Sequence, residues 1–254
     1  MTSSPPIHPF PGAVGVTHLR VYDSEAPDGL RGGTPHVHSV CTEAYFVVNG
    51  HGTVQTIDGT GGYRETPLEP GAFVWFTPGT IHRLINGDGA LEILVLMANA
   101  GLPEAGDMII TFAPEVLDDP EAYAHAHALP EGEQTSRGSG DAARARRDAG
   151  VEGFFALRDA TRRGDGAPLA RFHQQAARLL APRAGDWKQL HERGPLAAAQ
   201  ETARQIEAIS RGDAAHLGSS SLHRLPPPPE ERRMGCCGTL GVYVGDQAEH
   251  HPAT

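Results

Sequence analysis

The sequence predicts a mainly β protein with a helical part inserted into it or appended to it. Three observations lead there. Between residues 15 and about 98, short runs of alternating apolar residues are punctuated by glycine- and proline-bearing turns, the pattern of small antiparallel strands. From Val151 to His216, apolar residues recur at three- and four-residue steps, the pattern of amphipathic helices. Within the β region, His36-Val37-His38, then Glu43, then His82 beyond a turn-rich stretch, can place three imidazoles and one carboxylate around a single ion.

Side chains alternate along a strand, so His36 and His38 share one face while Val37 takes the other. Ser39 to Thr42 are short and polar enough for the chain to reverse. Glu43 opens a new run in which Tyr45 and Val47 share its face, and Ala44, Phe46 and Val48 the opposite one. Asn49-Gly50 and His51-Gly52 supply a hairpin turn, because glycine accepts positive φ cheaply. Val54 and Ile57 belong to the return strand. After Pro70-Gly71, Ala72 to Phe76 form another strand, and Thr77-Pro78-Gly79 bend the chain so that His82 arrives from a separate one. Leu91 to Met97 is almost wholly apolar and suits an interior strand.

These two segments resemble the paired motifs of the cupin superfamily: HxH, four residues, Glu and then Gly50 in the first, and Gly71, Pro78-Gly79, His82 and Asn86 in the second. Leu30 stands where the family has a leading glycine, and the second proline falls one place late, at Pro78. The resemblance covers roughly residues 15 to 115. It implies an antiparallel jelly-roll barrel with metal ligands His36, His38, Glu43 and His82, and a homodimer. Neutral imidazoles with one carboxylate suit iron, manganese, nickel, cobalt or zinc better than calcium.

The organisation expected is an N-terminal arm at 1–14, the cupin barrel at 15–115, a short helix and flexible linker at 116–150, a helical subdomain at 151–216, and a proline-rich connector at 217–254 whose last strand returns to the barrel edge. Within this scheme Pro114 to Leu129 read as the short helix and Glu131 to Gly150 as an aperiodic linker. Leu169, Phe172, Ala176, Leu179 and Leu180 form one helical stripe, and Leu196, Ala199, Ala203, Ile206 and Ile209 another, with Gly194-Pro195 between them.

Composition narrows the function. The formal charge of −10 over 254 residues argues against nucleic acid as a partner. The arginines at 144, 146, 147, 162 and 163 are interleaved with acids and alanines and read as solvated surface. No run of about eighteen apolar residues offers a membrane span. The first residues lack a basic, apolar leader. With three cysteines, two of them adjacent at 236 and 237, a cytoplasmic protein with reduced thiols is expected. His125 and His127 point about 200° apart on a helix and read as surface; Cys236-Cys237 reads as a partly buried structural pair.

Candidates to line a substrate pocket are Tyr45, Cys41, Phe73 and Trp75, and Glu43 is a candidate acid/base as well as a ligand. A metal-dependent enzyme acting on a small hydroxy, keto or sugar-like molecule follows, with dioxygenase-type chemistry placed ahead of isomerase or epimerase chemistry. A cupin that binds a small molecule without catalysis is the alternative of another class.

Overall fold

The computed structural model describes residues 10–60, 62–243 and 249–251. Its strands are β1 (Gly15–Val21), β2 (His36–Val37), β3 (Glu43–Asn49), β4 (Gly52–Asp58), β5 (Gly62–Leu68), β6 (Phe73–Phe76), β7 (Ile81–Asn86), β8 (Glu92–Met97) and β9 (Ile109–Ile110). Helices follow: α1 (Pro114–Asp118), α2 (Pro120–His127), α3 (Asp141–Arg162), α4 (Ala167–Leu180), α5 (Ala184–His191) and α6 (Ala197–Ser210). The chain closes with β10 (Leu222–Arg224), β11 (Arg233–Met234), β12 (Gly238–Tyr243) and β13 (Glu249–His251).

Two antiparallel sheets carry the fold. One has the order β11-β12-β1-β8-β3-β6 and the other β5-β4-β7-β2-β9, while β10 and β13 pair by themselves. The jelly roll is therefore two sheets facing across a shared core, not a closed ladder. Alternation decides the inner faces: along β8, Ile93, Val95 and Met97 are buried while Glu92, Leu94 and Leu96 are only partly covered. Glu92 points away from the core to meet His18 at 2.7 Å. The Asn49-Gly50 turn joins β3 to β4. Gly50 sits at φ +74°, and a Cβ there would come within 2.4 Å of the Ala90 backbone, so only glycine fits.

The strand expected to return to the barrel edge is β12, which pairs along β1 from Val16↔Tyr243 to Val21↔Gly238. β7 is buried on both faces. One face meets the core, and the other is covered by the segment after β1, where Asp28 accepts two hydrogen bonds from the buried Arg83 guanidinium at 2.7 and 3.1 Å.

The sequence reading placed residues 131–150 in a linker. Their second half is helical, because α3 begins at Asp141. The inward face of α3 runs Ala143, Arg146, Arg147, Gly150, Val151, Phe154 and Leu157, a helical stripe with two arginines in apolar slots. Both arginines are buried rather than solvated. Arg147 donates to the Ser24 carbonyl at 2.8 Å and the Glu25 carbonyl at 2.6 Å, clamping α3 to the segment after β1. Gly150 and Gly153 let the helix backbone lie directly on β9. Thr111 Oγ1 donates to the Gly150 carbonyl at 2.8 Å, and a Cβ on Gly153 would fall 2.0 Å from the Thr111 carbonyl oxygen.

Gly194-Pro195 does not separate two helices either. A π-helical turn at Glu192–Leu196 carries the chain from α5 into α6, a widened turn that accommodates the proline ring and its missing donor. α6 has no buried residue, and Ile206 and Ile209 are 65% and 54% exposed. Among the described residues no helix is long and apolar enough to cross a membrane.

Replacing Gly153 by Ala should push α3 off β9 and cost about 1–3 kcal/mol. Urea denaturation should show the midpoint falling, and an unchanged midpoint would mean that the helix is not seated as described.

Candidate metal centre

Four side chains from three parts of the β region converge. His36 lies on β2 directly opposite His82 on β7. Glu43 is the first residue of β3 in the other sheet, paired with Phe76 and Met97. β2 ends at Val37, so His38 lies just past the strand rather than on it. The cluster thus joins the two sheets across the core.

Asp107 positions His38. Its carboxylate accepts hydrogen bonds from the backbone N–H groups of Ser39, Val40 and Cys41 at 2.8, 3.0 and 3.0 Å, fixing the reversal between β2 and β3. Its backbone carbonyl accepts from His38 Nδ1. Sequence reading missed this residue, whose one local signal is an acid just before the apolar triplet Met108 to Ile110.

The other two imidazoles are held the same way. His36 Nδ1 meets the Thr34 carbonyl at 2.9 Å, and His82 Nδ1 meets the Thr80 carbonyl at 3.1 Å. A carbonyl only accepts, so each Nδ1 carries the hydrogen, and in the neutral tautomer this leaves Nε2 as the bare lone pair. The Nε2 atoms of His36 and His82 stand 3.1 Å apart. Glu43 Oε2 is 3.1 Å from His82 Nε2 and 3.4 Å from His38 Nε2, yet has no aligned hydrogen-bond donor. One ligand atom from each residue lies within 4.8 Å of the others. Lone pairs aimed at one point in a buried site repel one another unless a cation lies between them. This donor set, three imidazole nitrogens and a carboxylate with outer carbonyls fixing each ring, fits a divalent transition metal.

Burial, followed by the neighbouring His82 and His38, holds His36 well below the usual imidazole range. Burial likewise lowers His38. Burial alone would raise the Glu43 carboxyl, but the imidazoles of His82 and His38 outweigh it and hold the group at about 2. Neutral imidazoles and an ionised carboxylate are the ligating forms.

The cluster opens onto a cavity of about 300 Å³ that His36, His38 and Glu43 help to line, with apolar walls from Leu19, Val95, Met97, Met108 and Leu240. Of the pocket candidates, Tyr45 is fully buried, its ring 6.3 Å from that of His82, and its hydroxyl has no aligned partner. Cys41 is buried and does not line this cavity. Phe73 and Trp75 are corrected outright. They pair with Phe46 and Ala44, on the face opposite Glu43 and Tyr45, and are 50% and 66% exposed. They border a separate surface cavity of about 680 Å³, with Thr56, Arg64 and His173 among its other walls. The inward aromatic of β6 is Phe76, whose ring lies 4.3 Å from that of His82.

Further residues reach the metal-side cavity from outside the two motifs: His127 from α2, Arg146 from α3, and Cys236 and Cys237 ahead of β12. His127 is half-buried and not fully on the surface. Its ring stacks on Tyr123 at 5.7 Å, and burial, helped by Arg146 and Arg183, lowers it to about 4. Cys236 Sγ lies 3.5 Å from Met108 Sδ, and burial raises the Cys236 and Cys237 thiols.

Residues 24–97 match the family model Cupin_2, described as a cupin domain, and all four candidate ligands fall inside that span. The cupin match is confined to residues 24–97, under half of the chain. Solved structures similar to it include Streptomyces Pac13 with uridine, at 16% identity over 39% of this chain and 69% of that one, with a TM-score of 0.30. Another is the TDP-fucose-3,4-ketoisomerase WlaRA of Campylobacter jejuni, at 14% identity over 37% of this chain and 64% of that one, TM-score 0.30. A third is the Bacillus subtilis oxalate decarboxylase with Mn(II) centres, at 14% identity over 46% of this chain and 26% of that one, TM-score 0.33. No curated protein matches the chain.

The depressed imidazoles have a thermodynamic consequence. In the unfolded chain His36, His38 and His127 take up protons near the usual 6.5, whereas the folded protein resists them. The unfolded state binds more protons below that pH, so stability falls as pH drops. Glu43 acts in the same direction between its usual 4.5 and about 2. Metal-free protein should melt about 5 °C or more lower at pH 5.5 than at pH 7.5. A melting temperature that rises on acidification would contradict the buried neutral cluster.

Proposed function

We propose that the protein is a metal-dependent enzyme acting on a small oxygenated molecule, a hydroxy or keto compound, by dioxygenase-type chemistry. The observation that carries this reading is the convergence of three Nε2 atoms and one carboxylate at the wall of a mostly apolar cavity. A bound iron or manganese would supply a redox couple and positions open to oxygen donors.

The protein's own groups would do the rest. His36, His38 and His82 fix the geometry through their carbonyl-anchored rings. Leu19, Val95 and Met97 would give a bound substrate an apolar wall, and polar contacts made against it would be strengthened.

The chemistry of the walls favours oxidation over isomerisation. An isomerase needs a group that takes a proton from one carbon and returns it to another. Glu43 is held ionised between His38 and His82, which suits a ligand better than a shuttle. The Cys237 thiol of the wall is pushed upward by burial and keeps its proton, as does the hydroxyl of Tyr45, which does not line the cavity. His127, lowered to about 4, is a weak base.

Iron-loaded protein assayed in an oxygen electrode against a panel of small hydroxy acids, keto acids and enediols should consume oxygen in step with substrate. Isomer formation without oxygen uptake would replace the oxygenase reading. Tight binding of a panel member with no turnover under air or nitrogen would make the protein a binder.

A further inference from the structure

Arg146 presents a cationic group to the metal-side cavity that the cupin motifs do not account for. It comes from α3, is 8% exposed, and lines the same cavity as His36, His38 and Glu43. Two of its hydrogen bonds go to backbone carbonyls, His127 at 3.0 Å and Gly235 at 2.8 Å, and its Nε has no partner. No ion pair engages it among the described residues. Its neighbour Arg147 makes the contrast plain: buried more deeply still, it directs its donors to Asp148, Ser24, Glu25 and Gly32 and serves as an anchor.

A guanidinium stays charged at any physiological pH, and burying it without a counter-charge is costly. Two carbonyl acceptors hold the group in place and, among the described residues, leave most of its five donors without an acceptor. Among the cavity's walls, Met108, Leu240 and Val242 offer little to solvate the charge. Of the cavity's other charged groups, the Glu43 carboxylate is engaged by His38 and His82 at 3.4 and 3.1 Å, while Glu104 and Arg233 belong to exposed residues and the Glu104 carboxylate already accepts from the Gly101 N–H at 2.9 Å. What completes such a site is an anion brought by the ligand.

We propose that the substrate is a small carboxylic acid whose carboxylate pairs with Arg146 while its hydroxyl or keto oxygen faces the His36, His38, Glu43 and His82 cluster. This deepens the functional reading above and depends on it only for the metal-facing half of the ligand. A volume of about 300 Å³ suits a compound of a few carbons. Arg146 thereby makes α3 a specificity element: the β sheets supply the metal ligands, and the helical part supplies the charge that selects acids.

Malonate, and its neutral counterpart malonamide, titrated calorimetrically against the full-length protein with and without cobalt(II), test this. Malonate should bind the metal-free protein and bind more tightly once the metal is loaded, with malonamide weaker by at least about tenfold in both states. Arg146→Gln should weaken malonate by a similar factor and leave malonamide unchanged, while Arg146→Lys should restore part of the loss. Equal affinities for malonate and malonamide, or no malonate binding, would overturn the proposal even if the variants failed to fold. If cobalt did not load, the metal reading would fail separately, because the metal-free titration reads Arg146 alone.

Discussion

Three backbone carbonyls determine what this protein can be. Thr34, Asp107 and Thr80 each take the Nδ1 hydrogen of one histidine, and so each turns an Nε2 lone pair toward the same point. Without that outer layer the rings would be free to change tautomer or swing away. With it, the site keeps a mutual repulsion between lone pairs that a cation relieves. The surrounding structure overrides the repulsion by burial and packing, which is how strained polar clusters persist at functional sites.

The cluster also links the two halves of the fold. His36 and His82 belong to the five-stranded sheet and Glu43 to the six-stranded one, so positioning the ligands means fixing one sheet against the other. Asp107 contributes twice, its carboxylate to the reversal after His38 and its carbonyl to the His38 ring. α3 lies on β9 through Gly150 and Gly153 and reaches the cavity through Arg146. Chain far from the two motifs therefore shapes the site they define.

The four-residue cluster was legible because its spacing and its turns agree. His-x-His, the offset to Glu43, the glycine at 50 and the Pro78-Gly79 bend before His82 each follow from strand alternation or turn chemistry. The side to which Phe73 and Trp75 point was not legible. It depends on β6 pairing with β3 so that Val74 and Phe76 share the face of Tyr45 and Glu43, and that register is a tertiary choice. The burial of Arg146 and Arg147 was hidden for a different reason. A helical stripe from Ala143 to Leu157 is present in the sequence, but two arginines in its apolar slots, and glycines at 150 and 153, mask the period. The glycines mark close backbone approach and the arginines reach specific acceptors, neither of which a hydrophobic pattern can register.

The central claim is that one ion sits among His36, His38, Glu43 and His82, and cobalt(II) titration followed by visible absorbance tests it most directly. The wild-type protein should saturate at one equivalent with ligand-field bands of a nitrogen- and oxygen-coordinated ion, and His82→Ala, its fold checked by circular dichroism, should bind at least about a hundredfold more weakly. Full-affinity, one-equivalent binding by folded His82→Ala, or no binding by the wild type, would contradict it.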